Sequence, residues 1–332
     1  MKKFLNLKNG LILLHVLFAI IGLLIYRSNY KVSEELLTQR TLNKQIIIAK
    51  IGSQSVENLL KAMANQLSSF VFSFAKIDEN LSFDKDAARA EFASYIERAS
   101  LPITGIALYD EAGKLIIIEN REHVYTGENL NFSDHDFIDW AKKAANKNKV
   151  FISDPYTAQS GSAVGKIIMV LAEPIYFGNR YKGTLAIRIL VDNFRKAFID
   201  PLVSETDENS FILDINGQVI SGKNTFFDKT LYNEFFNQLS GAIKNNKIQN
   251  SLMFTSKAEK SKILLAGVNR IDVPNTERDL YMVVVSSKDE ITSSLTPLRK
   301  YGFIWLGFGV LTTIIGGFFV MFLGRSDENA LK

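Results

Sequence analysis

The 332 residues carry 39 Lys and Arg against 35 Asp and Glu, a formal net charge of +4, with three histidines and no cysteine. Lys2, Lys3 and Lys8 hold three of those charges and the last residues balance, so the middle of the chain is close to neutral. That leaves no basic footprint for nucleic acid, and a chain without thiols suits an oxidising compartment.

Residues 1–10 read as a positively charged flank that stays in the cytoplasm. Residues 11–26, LILLHVLFAIIGLLIY, are almost wholly apolar, and with residues 4–8 they reach the roughly 20 residues that a transmembrane helix needs. A cleavable signal peptide is the competing reading, but Tyr26-Arg27-Ser28-Asn29 offers no small-x-small cleavage site. His15 lies within this run.

Residues 27–100 follow as a helical region. Between 27 and 76 there is no proline and one glycine, Gly52, and apolar residues recur at helical spacing from Val32 to Phe74. The early part is polar enough to call for a partner helix, which predicts a homodimer through this segment. A shorter helix is expected over 86–99.

From residue 101 the period changes to that of strands. Five are predicted over 103–109, 114–119, 150–153, 166–176 and 182–191, with a helix over 134–146 capped by Ser133 or Asp134. Residues 201–288 repeat the pattern, with strands over 211–214, 218–221, 251–255, 262–271 and 279–286 and a helix over 231–245. The two sets align at an offset of 104, where Leu108-Tyr109-Asp110-x-x-Gly113 matches Ile212-Leu213-Asp214-x-x-Gly217. Strand, turn, strand, helix and further strands describe an α+β module with an antiparallel sheet, present twice. Residues 289–301 form a helix apart from Pro297 and lead into a second span over 302–323, with Trp305 at its edge and Gly302, Gly307, Gly309, Gly316 and Gly317 where another helix can approach. Residues 324–332 return to the cytoplasm, so the module pair is expected outside the cytoplasmic (inner) membrane with no cytoplasmic output domain in this chain.

In this order the chain resembles the double Cache family of extracytoplasmic sensor domains of bacterial transmembrane receptors. The residues that carry the likeness are Phe137-Ile-Asp-Trp140-Ala-Lys-Lys-Ala144, Val150-Phe-Ile-Ser-Asp-Pro-Tyr156, Glu173-Pro-Ile-Tyr176, Gly183-Thr-Leu-Ala-Ile and Tyr281-Met-Val-Val-Val285. The resemblance implies a long membrane-emerging helix, a membrane-distal PAS-like module over 101–200, a membrane-proximal one over 201–288, and a small molecule bound in the distal module. Its amino-acid-binding branch carries Arg-x-Trp-Tyr, then Tyr-x-Asp, then a late Asp. Here Trp140 and Tyr156 match, while Ile138, Ala141, Ala158 and Arg188 depart. A carboxylate clamp needs a forked donor and an ammonium needs an acid, so amino-acid binding in that manner is not expected.

Arg188 interrupts the apolar strand Leu185-Ala-Ile-Arg-Ile-Leu190, on the face of Ala186 and Leu190. It points to an anionic ligand such as a carboxylate, or else pairs with an acid such as Glu173 or reaches solvent. Trp140 and Tyr156, with less support Tyr109 and Tyr176, offer ring surface and a polar tip for a pocket wall or for ordinary core. Asp154 before Pro155 reads as a turn residue. His135 between Asp134 and Asp136 reads as a solvated helix start, because adjacent residues diverge and spaced metal ligands are missing. No catalytic motif, metal site or cofactor site is found. The expected function is small-molecule sensing with output through a membrane partner or a cytoplasmic part, and the alternative is an envelope scaffold of Cache-like fold without a ligand.

Overall fold

The computed structural model describes residues 2–77, 84–99, 102–202, 209–222, 229–245, 250–256, 263–273 and 275–329. Lys262 and the last three residues lie outside these, as do the side chains of residues 2–12 and His15. The chain forms two compact units, residues 42–286 and residues 1–41 with 287–332.

The larger unit contains two antiparallel sheets. The first holds β1 (Ile103–Asp110), β2 (Leu115–Glu119), β3 (Phe151–Ile152), β4 (Tyr156–Thr157), β5 (Ile167–Phe177) and β6 (Arg180–Leu190), in the order β2-β1-β6-β5-β3 with β4 also on β5. The second holds β7 (Asn209–Asp214), β8 (Val219–Gly222), β9 (Ser251–Thr255), β10 (Ile263–Ile271) and β11 (Leu280–Ser287), in the order β8-β7-β11-β10-β9. Both sheets follow one path, and the predicted repeat extends to the atoms of its hairpins. Asp110 Oδ1 accepts from the amides of Ala112 and Lys114 at 2.9 and 2.8 Å. Asp214 Oδ1 accepts from those of Asn216 and Gln218 at 2.8 Å each. Gly113 and Gly217 take φ of +86° and +81°, which an L side chain rarely adopts.

The first sheet has one strand more than predicted. Pro155 removes a ladder donor, so the expected strand over 150–153 becomes two short pairings, β3 and β4, on the same edge of β5. The helix predicted over 134–146 is also shorter. It runs as α3 (Asp136–Ala141), then breaks at Lys143, whose backbone is extended, before one 3-10 turn over Ala144–Asn146. Its N-cap is His135, without a side-chain cap, rather than Ser133 or Asp134, and Asp134 accepts from the Ser133 hydroxyl.

Helix α1 (Lys2–Ile77) lays its apolar stripe on both sheets. Val56, Leu60, Met63, Leu67 and Phe70 share one core with Ile106, Leu108, Leu171, Leu185 and Ile187 of the first sheet, joined by Phe92 and Ile96 of α2 (Lys85–Arg98). Ala49 belongs to the same core as Met282 and Val284 of the second sheet. The opposite face of each sheet has its own cover. Phe137 and Ile138 of α3 lie over the first, and Tyr232, Phe235, Phe236 and Leu239 of α5 (Lys229–Lys244) over the second. After β6 the chain turns into α4 (Val191–Phe198), where Phe194 is buried in the α1 core.

In the smaller unit α6 (Lys288–Ser294) stops at Leu295, and α7 (Thr296–Asn329) starts with Pro297 in its first turn, where a missing amide donor costs nothing. Lys288 pairs with Glu34 at 2.6 Å, and Gly302 lies so close to Tyr26 that a Cβ would sit 2.1 Å from its ring. Over Thr296–Phe318, α7 is the one helix among the described residues that is long and apolar enough to cross a membrane. Phe303, Ile304, Trp305 and Phe308 are all exposed on it, which suits hydrocarbon rather than water.

At Gly267 of β10 the backbone of α1 closely approaches the second sheet, since a Cβ there would stand 2.2–2.4 Å from backbone atoms of Gln45 and Ile46. Gly267→Ala is expected to cost about 1–3 kcal/mol by overpacking. Gly241→Ala, on α5 with nothing within 4 Å, should instead stabilise by up to about 1 kcal/mol. Thermal unfolding of the full chain in detergent separates the two, and equal effects would reject this account of the contact.

Candidate functional site

The candidate site lies on the face of the first sheet that α3 covers. Strand alternation sends Leu185, Ile187 and Ile189 of β6 into the α1 core, while Ala186 lies in the core beneath α3. Arg188 falls on the Ala186 face, as its spacing predicts. It is only 3% exposed. Its Nη2 donates to the Ser160 carbonyl at 2.9 Å, and its Nε has no partner. Among the described residues no carboxylate pairs with it. The Ser160 hydroxyl is likewise buried and unpartnered.

The loop that carries Ser160 closes tightly over the guanidinium. At Gly161, with φ +68°, a Cβ would meet Ile118 Cδ1 at 2.6 Å and Arg188 Nη1 at 3.2 Å, so only glycine permits this approach. The Gly161 amide donates to the Thr126 carbonyl at 2.8 Å, fixing the loop to the segment after β2. The next residues of the loop, Ser162 and Ala163, line a cavity of about 160 Å³ with Thr104, Arg121, Glu122 and Asn193.

Two phenols lie within electrostatic reach of the guanidinium. Burial pushes the Tyr109 and Tyr156 hydroxyls well above the usual tyrosine range, and the positive charge of Arg188 partly offsets this at both. Tyr109 packs edge-on against Phe132 and Phe137 at 5.3 and 5.4 Å, and Tyr156 against His135 at 5.0 Å. His135, the N-cap of α3, is half-buried against the rings of Phe132, Phe137 and Tyr156, and burial lowers its imidazole despite the acids on either side, so the helix start is set in this aromatic wall rather than in solvent. Among the described residues no group of His, Asp or Glu could hold a metal ion.

The six residues singled out from the sequence therefore divide. Tyr109, Tyr156 and Arg188 converge. Trp140 and Tyr176 brace α3 instead: the Trp140 indole donates to Glu277 at 3.3 Å and its ring packs on Phe151, while the Tyr176 hydroxyl donates to the Ala141 carbonyl at 3.1 Å. Glu173 is not the partner of Arg188. Two residues from Leu171 and from Ile175 on β5, it shares their α1-facing side and accepts from the Ser68 hydroxyl of α1 at 2.6 Å. Ser160 escaped the sequence reading because nothing in a polar loop marks which hydroxyl folds inward. Asp154, read as a turn residue, forms an ion pair with Arg278.

No family model and no curated protein matches the sequence. Solved structures do. The extracellular domain of rpHK1S-Z16 superposes with a TM-score of 0.60 at 12% identity, over 77% of this chain and 98% of that one. The ligand-binding domain of the Pseudomonas aeruginosa amino acid chemoreceptor PctB, in complex with L-Arg, superposes at 0.53 and 13%, over 73% and 93%. This chain has the fold of an extracellular sensory domain. An extracellular ligand binding receptor from Desulfohalobium retbaense shares it at 0.52 and 14% identity, with 72% of this chain spanning 39% of that one. The likeness is one of fold, and it agrees with the double Cache resemblance of the sequence.

Glu173 supplies a test of the sheet's inner face. Burial, only partly countered by the Ser68 hydrogen bond, raises its carboxyl to about 7 from an ordinary 4.5. Below pH 4.5 the acid is protonated in both the folded and the unfolded chain. Above pH 7 the unfolded chain ionises freely while the folded one must hold a buried charge. Folding is thus expected to lose about 3 kcal/mol between those limits. Glu173→Gln should remove that slope and be the more stable protein at pH 8, and unfolding midpoints at pH 5 and pH 8 for both proteins measure it.

Proposed function

We propose that this chain senses a small anion outside the cytoplasmic membrane and passes the signal across it. In this reading the sheet that carries Arg188 is the membrane-distal module, and residues 11–26 and 302–323 are the two spans. Arg188 supplies the single observation on which the reading rests. A guanidinium that is almost fully buried, bound to one carbonyl and, among the described residues, paired with no acid is costly to keep. Its free donors fit a carboxylate, with Tyr109, Tyr156 and the Ser160 hydroxyl beside them. The neighbours in fold support sensing as the class of function. PctB binds L-Arg, whereas here Ile138 and Ala158 are buried apolar residues where the amino-acid-binding pattern has its arginine and an acid.

Trp140, Tyr176 and Glu173 take supporting positions in this reading, holding α3 and α1 rather than touching the ligand. Output passes to a membrane partner or a cytoplasmic part, and a homodimer forms through α1, on which Ile47 and Ile51, one turn apart, are 58% and 56% exposed. One observation favours the second reading, a scaffold without a ligand: the rings of Tyr109, Phe132 and Phe137 are buried in the space under α3.

The two readings part in a thermal-shift screen of the full chain in detergent against carboxylates, amines, amino acids and sugars. A carboxylate at 100 times its dissociation constant should stabilise the chain by about 2.7 kcal/mol. Arg188→Met should lose that response and, freed of an unpaired buried charge, gain about 1 kcal/mol or more by itself. A carboxylate response that survives the substitution sinks the anion site, and silence across the whole panel favours the scaffold.

A further inference from the structure

Residues 275–279 join β10 to β11 within the second sheet, yet they are bound largely to the module of the first. The Val150 amide donates to the Asn275 carbonyl at 2.9 Å, and Val150 and Thr276 form a parallel bridge. The Glu277 carboxylate takes the Lys149 ammonium at 2.7 Å and the indole N–H of Trp140 on α3. At the centre stands Arg278, its side chain 17% exposed. Nη1 donates to the Ile152 carbonyl at 3.1 Å. Nη2 pairs with Asp154 and lies 3.5 Å from Oδ2 of Asp214, the acid that shapes the hairpin of the second sheet.

One cation thus serves two acids from two modules, and its position in the chain gives this a consequence. Two residues beyond Asp154 stands Tyr156, in the wall of the candidate site, and Pro155 between them fixes its own φ and stiffens the link. Two residues beyond Arg278 begins β11, the central strand of the second sheet, which runs directly into α6.

We propose that Arg278 is the positioning residue that couples the pocket wall to β11, so that a displacement of Tyr156 is felt in the second sheet through the Asp154–Arg278–Asp214 linkage. Charge-assisted bonds of this kind are short and directional. If Asp154 withdraws with Tyr156, the guanidinium is left with Asp214 and the Ile152 carbonyl, and the equilibrium position of β11 changes. Coupling between sites requires such an element, with two arrangements that both sites bias. The linkage concerns the joint alone and holds whatever occupies the pocket, so a chain that binds no anion still tests it.

The test is amide hydrogen exchange on the full chain in lipid nanodiscs, with the pocket wall disturbed by Ala158→Leu, two residues from Tyr156 and buried. With Arg278 present, the substitution should change exchange across Leu280–Ser287 by about threefold or more. In an Arg278→Gln background the same substitution should leave that strand within about twofold of its partner without it. Asp154→Asn, which cuts the linkage at a more exposed residue, should reproduce the loss and guards against a misfolded Arg278 variant. An equal response of Leu280–Ser287 with and without the linkage overturns the proposal, and so does the absence of any response there when Arg278 and Asp154 are intact.

Discussion

One helix supplies the inner cover for two sheets, and most of the larger unit follows from that. A sheet is stable in water only when its apolar faces are packed, and α1 provides the packing on one face of each with a single stripe from Ala49 to Phe70. Each large apolar side chain buried there contributes about 1.5–3 kcal/mol, so five of them place the helix under a constraint on the order of 10 kcal/mol. The close approach at Gly267 and the burial of Glu173 are tolerated against that sum. With the inner faces committed to α1, any site for a small molecule must lie on an outer face. Alternation along β6 then decides which side chains are offered to it.

The outer faces of the two sheets have diverged from a shared plan. On the second, α5 lays down a continuous row of aromatic rings, Tyr232, Phe235 and Phe236, and the face is simply a core. On the first, α3 is six residues long and the rest of the cover is loop, held by the Gly161–Thr126 hydrogen bond and folded over a buried cation. A short helix and a loop can rearrange at less expense than sixteen residues of helix. The same plan thus carries a long helical cover on one sheet and a short helix with a loop on the other.

Much of this was legible in the sequence, for identifiable reasons. The strands other than β4 were found within a residue or two because their apolar residues alternate or run unbroken, and the repeat because the Asp-x-x-Gly hairpin requires an acid and a glycine at fixed spacing. The orientation of Arg188 followed from a period of two. The extent of α3 did not, because the extended backbone at Lys143 has no marker in an Ala-Lys-Lys-Ala run. Nor did the position of Glu173, since assigning it to a face needs to know which face α1 covers. The Arg278 linkage was out of reach altogether. It joins residues 124 and 64 positions apart, and single-sequence patterns carry no information on pairs so distant.

The pairing of β11 has a mechanical corollary. Met282 and Val284 point to one core, Val283 and Val285 to the other, and the strand is bonded on both sides, to β7 and to β10. Sliding it by a single residue would exchange the two sets and expose each to the wrong neighbours, while sliding by two would need a jump of about 7 Å. Small axial creep is therefore forbidden to this strand. What it can transmit is a tilt or roll of the whole sheet, with its ladder intact.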